Sequence, residues 1–193
     1  PMAELARMLC ERTGMKKVFY GNSGAEANEC AIKAARKWAL DTYGPCRSTI
    51  ITLKNSFHGR TIATISATGQ DSFHTNFGPF TPGFVYAQPN DLSSVRALAD
   101  ETPCAAVMLE CVQGEGGVIA LDADFLKGVE ALCREKGMLL IIDEVQTGNG
   151  RCGALYGYMR FGLTPDIVTT AKGLGNGLPI GACLMGARVE NTL

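Results

Sequence analysis

Three groups with chemistry to offer stand directly behind apolar runs. Glu110 follows Ala105–Leu109, the pair Asp143–Glu144 follows Met138–Ile142, and Lys172 stands just after Ile167–Thr170. In an open parallel sheet, ligands sit beyond the carboxyl ends of the strands. Carboxylates and an amine gathered there can move protons and attack a carbonyl. Strand ends are also polar simply because they meet water. One such residue fits that reading; three successive ends favour a site. Lys172 lies in Thr169-Thr170-Ala171-Lys172-Gly173-Leu174-Gly175. A lysine between an apolar strand and small flexible residues is poorly explained as a solvated charge. Burial of such an amine favours its neutral form, a nucleophile toward an aldehyde.

A second group of residues suggests an anion. Asn22-Ser23-Gly24-Ala25-Glu26 joins a short strand to a long helix. The first turn of a helix has unpaired amides and the positive end of its dipole. Gly24 and Ala25 carry little side chain, so a phosphate can approach the backbone. An ordinary N-cap explains the same residues, and the Ser23/Glu26 spacing is that of a capping box. It is not a P-loop, since no Gly-Lys-Ser or Gly-Lys-Thr follows. The glycines from Gly173 to Gly181 invite a dinucleotide reading. Pro179 interrupts them, and such a motif should join an early strand to a helix.

These groups need a frame to hold them. Apolar spacing predicts helices over 2–13, 23–43, 60–68, 91–100, 123–136 and 154–161. It predicts strands over 18–20, 48–53, 84–87, 105–111, 139–143 and 167–170, with a last one at 183–185. Residues 69–83, rich in Gly, Pro, Phe and polar groups, read as an ordered surface loop. Strands such as Leu139–Ile142 are apolar on both faces, as parallel strands covered by helices must be. The alternation predicts an α/β fold, a mainly parallel sheet with helices on both faces.

Composition narrows the function classes. The 193 residues are 46% hydrophobic and 19% charged, which excludes disorder. Eighteen basic against nineteen acidic residues give a net charge of −1, with no basic excess for nucleic acid. The longest aliphatic run, Met138–Ile142, is far too short to span a bilayer. Eight cysteines form no CxxC pair and only two histidines exist, so no metal site is expected. The cysteines read as reduced thiols of a cytoplasmic protein.

The segments SGAEANE (23–29), SFHGRT (56–61), VQGEGG (112–117), IIDEVQTGNGR (141–151) and TTAKGLGNGLPIGA (169–182) resemble the class-III pyridoxal-phosphate aminotransferases. Within them, SFHGRTIATISATGQ with Phe84-Val85-Tyr86 and Asn90-Asp91 is most similar to acetylornithine aminotransferases. The match covers nearly the whole chain, in order. It implies the large domain of a fold-type I transferase that binds pyridoxal 5'-phosphate. Lys172 is implied as the amine that condenses with the cofactor aldehyde and shuttles the proton, and Asp143 as the partner of the pyridinium nitrogen. Glu144 falls in the same cofactor-binding motif. Gln146 would reach the ring hydroxyl, Val145 and Phe57 would pack on the two ring faces, and Gly24 and Ala25 would give amides to the phosphate. Arg60 would hold a substrate carboxylate, while Glu110 and Glu115 match glutamates that line the site.

Taken without the resemblance, Phe57 reads first as a core aromatic, Arg60 as a helix surface residue and Glu115 as a loop carboxylate. His58 reads as a packing or hydrogen-bonding histidine and His74 as solvent-facing, while Asn149 stands where sequences of the resembled family vary. The resemblance implies transfer of an amino group from N-acetylornithine to 2-oxoglutarate. Ornithine, 4-aminobutyrate or succinylornithine are the other donors within the family, and semialdehyde aminomutation is a further reaction of relatives. A nucleotide-dependent oxidoreductase and a non-catalytic binding module are the readings from other classes. It also implies a homodimer, and an amino-terminal segment and a small carboxyl-terminal domain outside residues 1–193.

Overall fold

The computed structural model describes residues 1–193. Helix α1 (Met2–Thr13) ends at Gly14, whose φ of 76° closes the last turn, and leads to β1 (Lys17–Gly21). Helix α2 (Gly24–Tyr43) starts at Ser23, whose hydroxyl accepts the Glu26 amide. Glu26 reaches back to the Asn22 amide, so the predicted capping box forms. Then come β2 (Thr49–Leu53), α3 (Ile62–Ala67), β3 (Phe84–Ala87) and α4 (Leu92–Glu101). Strand β4 (Cys104–Leu109) precedes a small hairpin, β5 (Val112–Gln113) with β6 (Ile119–Ala120). The chain continues through α5 (Ala123–Glu135), β7 (Leu139–Asp143), β8 (Ile167–Thr170) and β9 (Gly181–Met185).

Seven strands form one sheet in the order β1-β9-β8-β7-β4-β2-β3. Neighbours from β8 through β3 pair in parallel, whereas β9 runs antiparallel to both β1 and β8. The mainly parallel sheet is therefore as expected, with one reversed strand. Alternate residues feed two cores. Leu140, Ile142, Val107 and Leu109 face one side with Val95, Phe125, Leu126 and Val129. Leu139, Ile141, Ala106 and Met108 face the other, against Ala31, Ala34 and Ala35 of α2. Full burial of each such Leu or Ile is worth about 1.5–3 kcal/mol. Alanines along α2 let that helix lie close to the sheet, which fixes where its amino terminus points.

Four local expectations change. The helix foreseen over 154–161 is only a 3₁₀ turn, Gly157–Phe161. The amides of Gly157 and Tyr158 donate to the Glu144 carboxylate instead of founding a helix. The helix foreseen from Arg60 starts at Ile62, after the capping pair Thr61 and Thr64. Strand β9 begins two residues earlier than predicted, at Gly181. His74 is half-buried rather than solvent-facing: its Nε2 lies 2.9 Å from the Ile65 carbonyl, and its ring packs 5.1 Å from that of Phe80. All eight cysteines are free. No helix is long and apolar enough to cross a membrane.

Candidate active site

A cavity of about 470 Å³ opens at the carboxyl edge of the sheet. Its walls come from five places in the chain. The start of α2 brings Ser23, Gly24 and Ala25; the turn after β2 brings Phe57, His58 and Arg60; the end of β7 brings Asp143, Val145 and Gln146; the end of β8 brings Lys172; and the segment before β9 brings Leu178, Pro179 and Ile180. These residues are far apart in sequence, and the sheet order makes them neighbours.

Asp143 is held from three directions. Its Oδ2 accepts from Asn28 Nδ2 and meets His58 Nδ1, both at 2.8 Å, while Oδ1 accepts the Val145 amide at 3.0 Å. With the carboxylate as acceptor, the imidazole proton belongs on Nδ1, an assignment made from the network. His58 Nε2 is buried without a partner. Asn28 also donates to the His58 carbonyl at 2.7 Å and accepts from Thr169 Oγ1 at 2.6 Å. It thus ties α2, the β2 turn and β8 to the one carboxylate. The sequence reading missed Asn28. Its signal was a polar residue on the helix face that otherwise buries Ala27, Ala31, Ala34 and Ala35.

The amino end of α2 reaches the site because Gly24 has no side chain. A Cβ there would lie 2.7 and 2.8 Å from the two methyls of Val145. The unpaired first amides of a twenty-residue helix therefore face the cavity beside Val145. Phe57 lies 5.4 Å, centroid to centroid, from Phe73, and the Arg60 guanidinium sits 5.1 Å from the Phe73 ring. Phe73, unremarked in the sequence, thus supports both. Gly59, at φ 132°, makes the bend that sends His58 inward while Arg60 remains exposed.

Three other predicted residues, Glu144, Glu110 and Glu115, stand off the cavity wall. Glu144 is fully buried, with its carboxylate accepting from the Gly157 and Tyr158 amides at 2.8 and 2.7 Å and from Thr147 Oγ1 at 2.6 Å. It points away from the cavity and braces the following loop. Burial pushes its carboxyl up, against those three donors. Glu110 lies behind Phe57, not on the cavity wall, and accepts the Phe57 and Gly114 amides at 3.0 and 3.3 Å. Burial raises its carboxyl to about 7, with the Asp143 charge adding and His58 opposing. Glu115 is exposed on the β5–β6 hairpin, where Gln70 Nε2 donates to it. Lys172 is exposed rather than buried, at φ 48°, and makes no ion pair.

An amine, a firmly oriented carboxylate, Phe57, Val145 and a helix amino terminus thus line one cavity of an α/β protein. The class-III aminotransferase family model matches residues 1–193, and the chain belongs to that family. It is 55% identical, over all of its length and 49% of the relative's, to an acetylornithine aminotransferase of Haemophilus ducreyi. It is 52% identical over 95% of its length, and 45% of the relative's, to a succinylornithine transaminase of Citrobacter koseri. The ornithine aminotransferase of Toxoplasma gondii superposes with a TM-score of 0.93 at 39% identity, over 99% of this chain and 46% of that one. The chain spans about half the length of the curated relatives it matches.

Proposed function

We propose that this chain is the cofactor-binding large domain of a homodimeric pyridoxal-phosphate aminotransferase. Its reaction takes N-acetylornithine and 2-oxoglutarate to N-acetylglutamate semialdehyde and glutamate. One observation carries the reading: Lys172 and Asp143 line the same cavity, together with the amino terminus of α2, Phe57 and Val145. The residues fit the cofactor. The cradle at Gly24, which a Cβ would fill, suits its phosphate. Phe57 and Val145 on the cavity wall suit an aromatic ring, and the carboxylate with its three donors suits a protonated ring nitrogen.

When bound, pyridoxal phosphate supplies an aldehyde and an electron-withdrawing ring. The chain does the rest. Asp143, oriented by Asn28, His58 and the Val145 amide, would hold the protonated ring nitrogen. Phe57 and Val145 would pack against the ring. Lys172 Nζ would be the amine that holds the aldehyde and the group that moves the substrate proton. Arg60 offers a forked pair of donors to a substrate carboxylate. Its exposed head and its stack on Phe73 leave it free at the cavity mouth.

Acetylornithine is favoured among donors because a relative so named matches the whole chain at 55% identity. The test uses the complete protein. Added pyridoxal phosphate should give a visible band that borohydride bleaches, and Lys172→Ala should abolish it. A panel of N-acetylornithine, N-succinylornithine, ornithine and 4-aminobutyrate then ranks the donors by kcat/KM. A protein that binds pyridoxal phosphate equally well without Lys172 refutes the reading. A preference for N-succinylornithine overturns only the choice of donor. A cytoplasmic setting belongs to the same proposal.

A further inference from the structure

Asn149 has no role in the sequence reading, yet it joins two walls of the cavity. It lies in the loop after β7, the loop that carries Asp143, Val145 and Gln146. Its Nδ2 donates across to β8 and the residue beyond it: to Thr170 Oγ1 at 3.1 Å and to the Ala171 carbonyl at 3.0 Å. These are the two residues immediately before Lys172.

Lys172 needs such a restraint. It stands at φ 48°, in the left-handed region that a residue with a side chain adopts only when its surroundings fix it. Its head is exposed and forms no ion pair, so the backbone alone aims the amine. The Ala171 carbonyl that Asn149 binds also accepts the Leu174 amide at 3.0 Å, closing the turn around Lys172. Gly173 completes the fit, since a Cβ there would lie 3.2 Å from Asn149 Cβ. Asn149 itself sits at φ 56°, which asparagine tolerates better than most residues. The Asn149 amide thus links the loop that carries Asp143 to the two residues that lead into the Lys172 turn.

We propose that Asn149 is a positioning residue that holds the Lys172 turn in register with Asp143, so that Nζ meets the aldehyde carbon. The inference rests on the reading that Lys172 condenses with pyridoxal phosphate. In that step the neutral amine forms a C=N bond, the aldehyde C=O bond breaks, and one water leaves with the oxygen and two amine hydrogens. Correct placement raises the rate of such a step through effective concentration.

The experiment compares the complete apoprotein with Asn149→Gly and Asn149→Asp. Glycine removes the amide and keeps the backbone freedom. Aspartate keeps the shape but has no N–H: its carboxylate meets the Ala171 carbonyl as acceptor against acceptor, while the Thr170 hydroxyl can turn to donate to it. Two quantities are measured: the rate of borohydride-trapped attachment of pyridoxal phosphate at Lys172, followed by mass, and the affinity for pyridoxamine phosphate, which has no aldehyde. Attachment should slow by about five- to tenfold in the glycine variant, and further in the aspartate variant, with pyridoxamine phosphate affinity unchanged. Unchanged attachment rates in both variants overturn the proposal. So does a loss of pyridoxamine phosphate affinity by the same factor, which would make Asn149 a support of the cavity as a whole. Lys172→Ala separates the two claims: attachment that survives it refutes the reading of Lys172, whatever Asn149 does.

Discussion

Replacing Glu110 by glutamine should change how stability depends on pH. Glu110 is 2% exposed and its carboxyl is raised from 4.5 to about 7, chiefly by burial. The folded protein therefore holds this proton more tightly than the unfolded chain does. Its stabilising contribution is complete below pH 4.5, falls as pH rises toward 7, and is lost above that. At about 1.4 kcal/mol per pH unit, the gap corresponds to a loss on the order of 3 kcal/mol across the window. Glutamine does not titrate. Its amide sets an NH₂ against one of the two donors, Phe57 N or Gly114 N, a penalty that is the same at every pH. Only the change with pH is diagnostic. Urea unfolding of both proteins between pH 4.5 and 8 should show Glu110→Gln gaining on the wild type by about 3 kcal/mol. Taking the difference removes the titration of groups that Glu110 does not touch. A constant difference across the window refutes the reasoning, because it places the folded and unfolded carboxyl at the same pKa.

Two further outcomes follow from packing. Gly24→Ala drives a methyl to 2.7 Å from Val145, so the helix start or Val145 must give way. Pyridoxal phosphate binding, followed by absorbance titration, should weaken by about tenfold or more, with a stability loss of about 1–3 kcal/mol. Glu144→Ala strands the Gly157 and Tyr158 amides and the Thr147 hydroxyl, at about 1–3 kcal/mol for each group left unpaired. The unfolding midpoint should drop sharply while the folded fraction keeps its affinity for pyridoxal phosphate. A large loss of affinity would instead place Glu144 at the cofactor.

The frame was legible because it repeats. Leu139–Ile142 is apolar at every position, and the two faces of β7 do enter different cores. What escaped depends on contacts between distant residues. No local signal reverses β9, whose first residue, Gly181, packs so closely on Ser23 that a Cβ would lie 2.0 Å from the Ser23 carbonyl oxygen. The helix expected over 154–161 looked sound by spacing, but the buried Glu144 carboxylate takes the amides of Gly157 and Tyr158, in the middle of that segment. Hydrogen bonds of that kind outweigh propensity, which is a weak prior for a short segment.

The site shows the same division one level up. Residue types at strand ends indicated Asp143 and Lys172, since a parallel sheet sends its carboxyl ends to one edge. The motif grouped Glu144 with them. A strand sends neighbouring side chains to opposite faces, and that rule alone separates Asp143 in the cavity from Glu144 behind it. Residues that only orient others leave a fainter trace. Asn28 shows itself as one polar side chain in an alanine face, and Asn149 as an asparagine at a turn, where asparagine is common for reasons of its own. Such residues come into view only when the carboxylate and the amine they hold are seen together. Orientation of Asp143 by three donors and of Lys172 by one amide then becomes the same physical problem: fixing two reactive groups on the wall of one cavity.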